Sequence, residues 1–126
     1  MINKRDGQSL VELLAAMAVL AIGILAVVKV TTRSINNATY AKSLGLATKY
    51  AQASIEEVRF LRETEPADVF FVDGYCSKTE AIDSLFTLER TCRLSGETIN
   101  VTVVVSWGDG AGTHESTITT GFTNYR

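Results

Sequence analysis

The sequence predicts an α+β protein, in which the second half of one long N-terminal helix packs against a small antiparallel β-meander. Three observations predict it. Residues 13–28, LLAAMAVLAIGILAVV, carry no charge; residues 31–63 repeat apolar positions every three or four residues; residues 86–107 alternate apolar and polar side chains. The 126 residues and 13.7 kDa leave room for one small domain and exclude an enzyme with separate cofactor and substrate modules. The composition is 46% hydrophobic but only 8% aromatic, and mean hydropathy is +0.14. This apolar excess has to lie somewhere other than an ordinary core.

The first element is the apolar run. Counted from Leu10 it is interrupted only by Glu12, and at 1.5 Å per residue it covers roughly 28 Å, close to the hydrocarbon thickness of a bilayer. Apolar side chains occupy every face, which separates it from the amphipathic helices of soluble domains. A cleaved secretory signal requires a small-x-small site soon after the run, but Val28 is followed by KVTTRSINN. A plain anchor gains nothing from a carboxylate at its start, where insertion costs about 1–3 kcal/mol. Glu12 therefore points to function.

A short basic leader, MINKRDG, ends at Gly7; QSLVELL follows, and Glu12 stands five positions after the glycine. This arrangement resembles a type IV prepilin signal. The resemblance implies a pilin-like fold and cleavage after Gly7 by a membrane peptidase whose active site faces the cytoplasm. Gln8 becomes the new, methylated first residue, and Glu12 is the family's glutamate. The glutamate's role has a physical basis. In a bundle of apolar helices, an unpaired carboxylate or ammonium costs several kcal/mol, so Glu12 pairs with the amino terminus of a neighbouring subunit. Gln8 stands where the family most often has phenylalanine, a departure that fits the looser position of minor pilins, and no proline interrupts the helix before Pro66. Lys4 and Arg5 favour a cytoplasmic leader, but Lys29 and Arg33 lie just past the other end of the run, so the orientation comes from the resemblance.

From Thr31 to Glu63 the pattern is two-faced. Leu44, Ala47, Ala51, Ile55, Val58 and Leu61 form one stripe; Lys49, Gln52, Glu56, Arg59 and Glu63 share the opposite side. Glu56 with Arg59, and Arg59 with Glu63, are spaced to pair across a turn. Asn36, Asn37 and Gly45 weaken continuity, and Gly23 is a weak point in the apolar run. Unbroken, the helix from Gln8 to Glu63 would measure about 84 Å at 1.5 Å per residue.

After Pro66 the chain changes to short runs broken by turns. VFFV (residues 69–72) carries no clear periodicity. FTLERTCRL (86–94) places Phe86, Leu88, Cys92 and Leu94 on one side, and Arg90 breaks that apolar face. Ser95-Gly96-Glu97 is a turn. Ile99, Val101, Val103, Val105 and Trp107 then alternate against polar residues, with Trp107 expected at the strand end of the core. GDGAG (108–112) is a second turn, and HESTITTGFTNY supplies the last strand. The apolar side of this meander is expected to cover the Leu44–Leu61 stripe. Cys76 and Cys92 are the only cysteines. An even count outside the cytoplasm predicts a disulfide, the alternative being two buried thiols.

Chemistry-bearing patterns are weak. His114 stands near Asp109, Glu115 and Ser116, but adjacent strand residues point to opposite faces, which works against a Ser/His/Asp site. GDGAG lacks the Lys and Ser/Thr of a phosphate loop. Asp68, Asp73, Glu80 and Asp83 lack calcium-loop spacing and read as solvated surface. Two Asn-x-Ser/Thr matches, at Asn37 and Asn100, carry little weight. The expectation is no catalysis, no cofactor and no metal site. Net charge is −2, and removing MINKRDG makes it −3, so nucleic acid is not a favoured partner.

The predicted organisation is leader 1–7, membrane and assembly helix 8–30, amphipathic continuation 31–63 and β-rich head 64–126. The resemblance implies a minor pilin, a filament subunit that primes assembly or sits near the tip. A type II secretion pseudopilin, or a membrane-tethered adhesin or DNA-uptake module, is the alternative. Implied partners are other pilins in a filament, the prepilin peptidase, an inner-membrane assembly platform and, before assembly, the cytoplasmic membrane. The implied location is single-pass in the inner membrane with the C-terminal head outside, then an extracellular or periplasmic filament.

Overall fold

The structure, a computed structural model, describes residues 4–124, with residues 4–7 as backbone only. Met1–Asn3 of the expected leader lie outside the described residues. The order of elements is α1 (Lys4–Thr64), α2 (Ala67–Phe70), β1 (Lys78–Ala81), β2 (Phe86–Ser95), β3 (Thr98–Asp109) and β4 (Gly112–Thr123). The chain divides into two compact units, residues 1–40 and 41–126.

In the first unit every described residue is helical, and every residue from Gln8 to Tyr40 is exposed. Thr31 and Thr32 donate their hydroxyls to the carbonyls of Val27 and Val28, at 2.9 and 3.0 Å. Each hydroxyl is thereby satisfied within its own helix. Helical secondary structure continues through Gly23, Asn36, Asn37 and Gly45. The propensity cost of such residues is about 0.5–1 kcal/mol each, and in a long helix propagation offsets it.

The second unit is a four-stranded antiparallel sheet in the order β1-β2-β3-β4, with the C-terminal part of α1 on one face. Ala47, Ala51, Ile55 and Val58 are buried in one cluster with Phe86, Leu88 and Cys92 of β2, Ile99, Val101, Val103, Val105 and Trp107 of β3, and Phe122 of β4. Leu44 and Leu61 are partly buried at the ends of the helical stripe. Ala47, Ala51 and Val58 are fully covered, and the two alanines are small enough to let the helix backbone lie close to the sheet.

Aromatic rings close both ends of this core. Tyr50, Phe86 and Trp107 make successive ring contacts at 5.4 and 6.0 Å; Phe70 meets Phe71 at 5.1 Å and Phe122 at 6.2 Å. Helix α1 ends before Pro66, whose ring cannot continue the ladder of hydrogen bonds. VFFV, which has no strand pattern, contributes to the single turn of α2. Three of its amides are taken up there: Val69 and Phe70 donate to the Pro66 carbonyl, and Phe71 donates to that of Ala67.

The turns follow local chemistry. Ser95 pairs with Thr98 across Gly96 and Glu97, and Gly96 has φ +62°, which suits glycine at the first central position of a two-residue hairpin. Asp109 pairs with Gly112, and its Oδ1 accepts the amides of Ala111 at 2.7 Å and Gly112 at 3.1 Å, an Asx turn. β1, KTEA, has no apolar alternation to announce it and exists through pairing with residues 87–90. Leu94, expected inside with Cys92, is 39% exposed. It lies two residues before Gly96, at the end of the sheet, where strand alternation no longer guarantees cover.

Candidate assembly site

In the first unit the exposed apolar residues include Leu10, Val11, Leu13 and Leu14, each 58–66% exposed. Glu12 is exposed among them. Gln8 precedes it by four residues on the same helical face. Gly7 has helical backbone, as does its neighbour Gln8. The sequence contains no Asp or Glu between Glu12 and Glu56, so Glu12 is the only carboxylate of this run. Helix α1 is long and apolar enough to cross a membrane, and none of its apolar window is buried within the protein. Such a surface is stable only against lipid or against other apolar helices.

The second unit is held by three devices. The first is the disulfide between Cys76 and Cys92, with Cα atoms 5.6 Å apart. It ties the segment after α2 to β2, and the backbone reinforces it: Gly74 N donates to Cys92 O at 3.0 Å, and Leu94 N donates to Asp73 Oδ1 at 2.8 Å. Ser77 Oγ accepts the Cys92 amide at 3.0 Å.

The second device is Arg90, which the alternation of β2 placed on the apolar face. Arg90 is 4% exposed. Its Nε donates to Cys76 O at 2.6 Å; its Nη1 donates to Ser54 Oγ at 3.1 Å and to Glu57 Oε2 at 3.0 Å. One guanidinium therefore joins α1, β2 and the disulfide-bonded segment. Lys78 of β1 extends the network, lying 3.5 Å from Glu57 Oε2 and 2.6 Å from Glu80 Oε2. Partial burial pushes the Glu57 carboxyl up, but the hydrogen bond and charge of Arg90, helped by Lys78, outweigh it and hold the pKa below its ordinary value. The hydrogen bond from Lys78 to Glu80 is the largest influence on Lys78, and its pKa is raised. Glu80 thus lies in this network, and Asp83, also expected as free surface, accepts the amides of Leu85 and Phe86 at 2.7 and 2.9 Å.

Arg62 is a third tie. Its Nη2 donates to Thr123 O at 2.8 Å, and its Cζ lies 5.8 Å from the centre of the Phe122 ring. Arg59 pairs with Glu56 at 2.7 Å. Among the described residues no Arg59–Glu63 pair accompanies it.

His114 Nε2 lies 2.9 Å from Asp109 Oδ2, and its ring stands 5.6 Å from that of Trp107. Trp107 is buried in the core, 2% exposed. The Asp109 carboxyl is held below its ordinary pKa first by the Ala111 amide, then by His114 and the Gly112 amide. Ser116 Oγ lies 3.4 Å from Thr48 Oγ1 on α1, so this hydroxyl is engaged with the helix. Among the described residues no three His, Cys, Asp or Glu side chains gather in a metal-binding set.

Comparison with known families gives one finding. The family model described as the prokaryotic N-terminal methylation motif matches residues 2–28, which include Gly7, Gln8, Glu12 and the whole apolar run. The chain carries a type IV pilin-like prepilin signal. Together with the exposed apolar helix, this signal fits anchoring in a membrane through that helix. No curated protein and no solved structure matches the chain.

Proposed function

We propose that this chain is a minor pilin, a structural subunit of a type IV pilus-like filament that primes assembly or sits near the tip. It does no chemistry of its own. Cleavage after Gly7 releases the leader and leaves Gln8 as a methylated amino terminus, and Glu12 recruits the next subunit by pairing with that subunit's amino terminus. The reading rests on one observation: the methylation motif coincides with an exposed apolar run whose only carboxylate is Glu12. Gln8, in place of the usual phenylalanine, and the small head favour a minor subunit.

Before assembly the subunit waits in the inner membrane with its head outside, and an assembly platform there lifts it into the filament. The decisive experiment is Glu12→Leu. This variant is expected to be processed and membrane-inserted yet absent from sheared filaments; incorporation at the wild-type level would overturn the recruitment role. Mass spectrometry of the native protein is expected to find an amino terminus at Gln8 carrying one methyl group. A terminus at Met1, or after Val28, would overturn the prepilin reading.

A further inference from the structure

Gln8 is the residue that cleavage after Gly7 leaves at the amino terminus, and it carries its own electrophile, the side-chain amide. Before cleavage the Gln8 nitrogen belongs to a peptide bond inside α1, which starts at Lys4, and its lone pair is spent in resonance with the Gly7 carbonyl. Cleavage frees it as an amine. The Gln8 side chain is exposed, and in a helix each Cα–Cβ bond tilts toward the amino-terminal end, so the side-chain amide leans back toward the new terminus. The nitrogen, Cα, Cβ, Cγ and Cδ of this one residue are all that a five-membered ring needs.

We infer that Gln8 of the cleaved chain cyclises to a pyroglutamyl lactam, and that this retires subunits left unused in the membrane. The amine lone pair attacks Cδ and forms a C–N bond; the bond from Cδ to Nε2 breaks, and Nε2 leaves as ammonia with a proton taken from the amine. Nothing is oxidised or reduced, and no co-reactant enters. The ring fixes φ much as proline does, which the first turn of a helix accepts, so α1 stays intact. Only the charge changes. An ammonium at a helix N-terminus opposes the macrodipole, and the lactam nitrogen, an amide, relieves that opposition by carrying no charge. A cyclised chain has no cation to offer the carboxylate of a neighbouring pilin, which would be left unpaired among apolar helices at a cost of several kcal/mol. Methylation and cyclisation give one nitrogen opposite fates: the first keeps the cation, the second erases it. A phenylalanine at this position would have no amide to attack.

This inference rests on the cleavage reading and gives the free subunit a lifetime. The test follows the intact mass of the full chain after its synthesis is stopped, in the membrane fraction and in sheared filaments separately. The membrane-held chain is expected to lose one ammonia progressively, with on the order of tenfold less of the lactam in filaments, where an unpaired buried charge is excluded. The purified mature chain in detergent should show the same loss unaided. Gln8→Asn keeps a primary amide but would need a strained four-membered ring, and Gln8→Met keeps the length without an electrophile. Both variants should hold their mass.

A terminus at Gln8 that keeps its ammonia in both fractions and in detergent overturns the inference and leaves the prepilin reading standing. So does a loss of ammonia that persists in Gln8→Asn and Gln8→Met, since it then comes from another residue. Lactam as abundant in filaments as in the membrane overturns the retirement of unused subunits. A terminus at Met1, or after Val28, overturns the cleavage reading and this inference with it.

Discussion

Arg90, on the inner face of β2, donates to Glu57 of α1 at 3.0 Å, although Arg90 is almost wholly buried and the Glu57 side chain is 47% exposed. The pair is asymmetric. Arg90 draws further acceptors from Ser54 and Cys76, while Glu57 faces solvent and shares its oxygen with Lys78. The contact fixes which turn of α1 lies over which strand, a specificity that apolar packing of alanines and valines alone supplies weakly.

Arg90→Ala is therefore expected to lower stability by about 2–4 kcal/mol, since it opens a cavity and strands the Cys76 carbonyl and the Ser54 hydroxyl. Arg90→Met, which restores volume without charge, should cost less. Thermal unfolding of the detergent-solubilised chain, followed by near-ultraviolet circular dichroism of Trp107, measures both. Equal loss in the two variants would show that volume is irrelevant to the cost.

Acid is expected to weaken the head through Glu57. Its folded pKa is lowered, so the unfolded chain takes up a proton first as pH falls. The stabilisation is present above the ordinary carboxylate pKa and is lost as pH drops through the folded value. Because the side chain is half exposed, the effect should stay below about 1 kcal/mol. Asp109 adds a change of the same sign, its pKa being lowered as well. Lys78 acts at the other end: its raised pKa gives stability that is full at neutral pH and is lost as pH climbs through the folded value. The difference in melting temperature between pH 7 and pH 3.5, compared in wild type and Glu57→Gln, reads the carboxylate contribution. It should be smaller in the variant.

Reduction of Cys76–Cys92 should destabilise the head by about 3 kcal/mol in a chain-entropy model, which assigns that value to a loop of some fifteen residues. The urea midpoint with and without reductant measures it. The double variant Cys76→Ser, Cys92→Ser should match the reduced protein, and Arg90→Ala in that background should cost less than in the wild type, because the disulfide holds the Cys76 carbonyl in place.

Ala51→Leu is expected to cost about 1–3 kcal/mol by overpacking, since Ala51 is fully buried in the core. Ala53→Leu, on the exposed side two residues away, should lie within about 0.5 kcal/mol of wild type. The same unfolding assay separates them.

Patterns with a clear period were legible in the sequence. The stripe from Leu44 to Leu61 and the alternation from Ile99 to Trp107 both meet the core, because helix and strand periods decide which side chains can be buried together. The disulfide was legible from an even cysteine count once the head was placed outside the cytoplasm, and the structure joins Cys76 to Cys92. Leu94 broke the alternation at a strand end. β1 and the role of Glu57 were not legible: KTEA has no apolar face, and whether Glu57 or Glu56 meets the sheet depends on tertiary placement. Arg90 was visible only as an irregularity. A cation within an apolar alternation signals a buried partner, and that partner lay 33 residues away on the helix.

Strand β4 is an edge of the sheet, twelve residues long, with neither lysine nor proline to discourage another chain from adding to it. Arg62 occupies the Thr123 carbonyl at one end of that edge. A foreign strand seeking to extend the sheet from there must first displace a guanidinium already bonded in place and stacked on Phe122, so the helix that carries the head also guards it against uncontrolled growth.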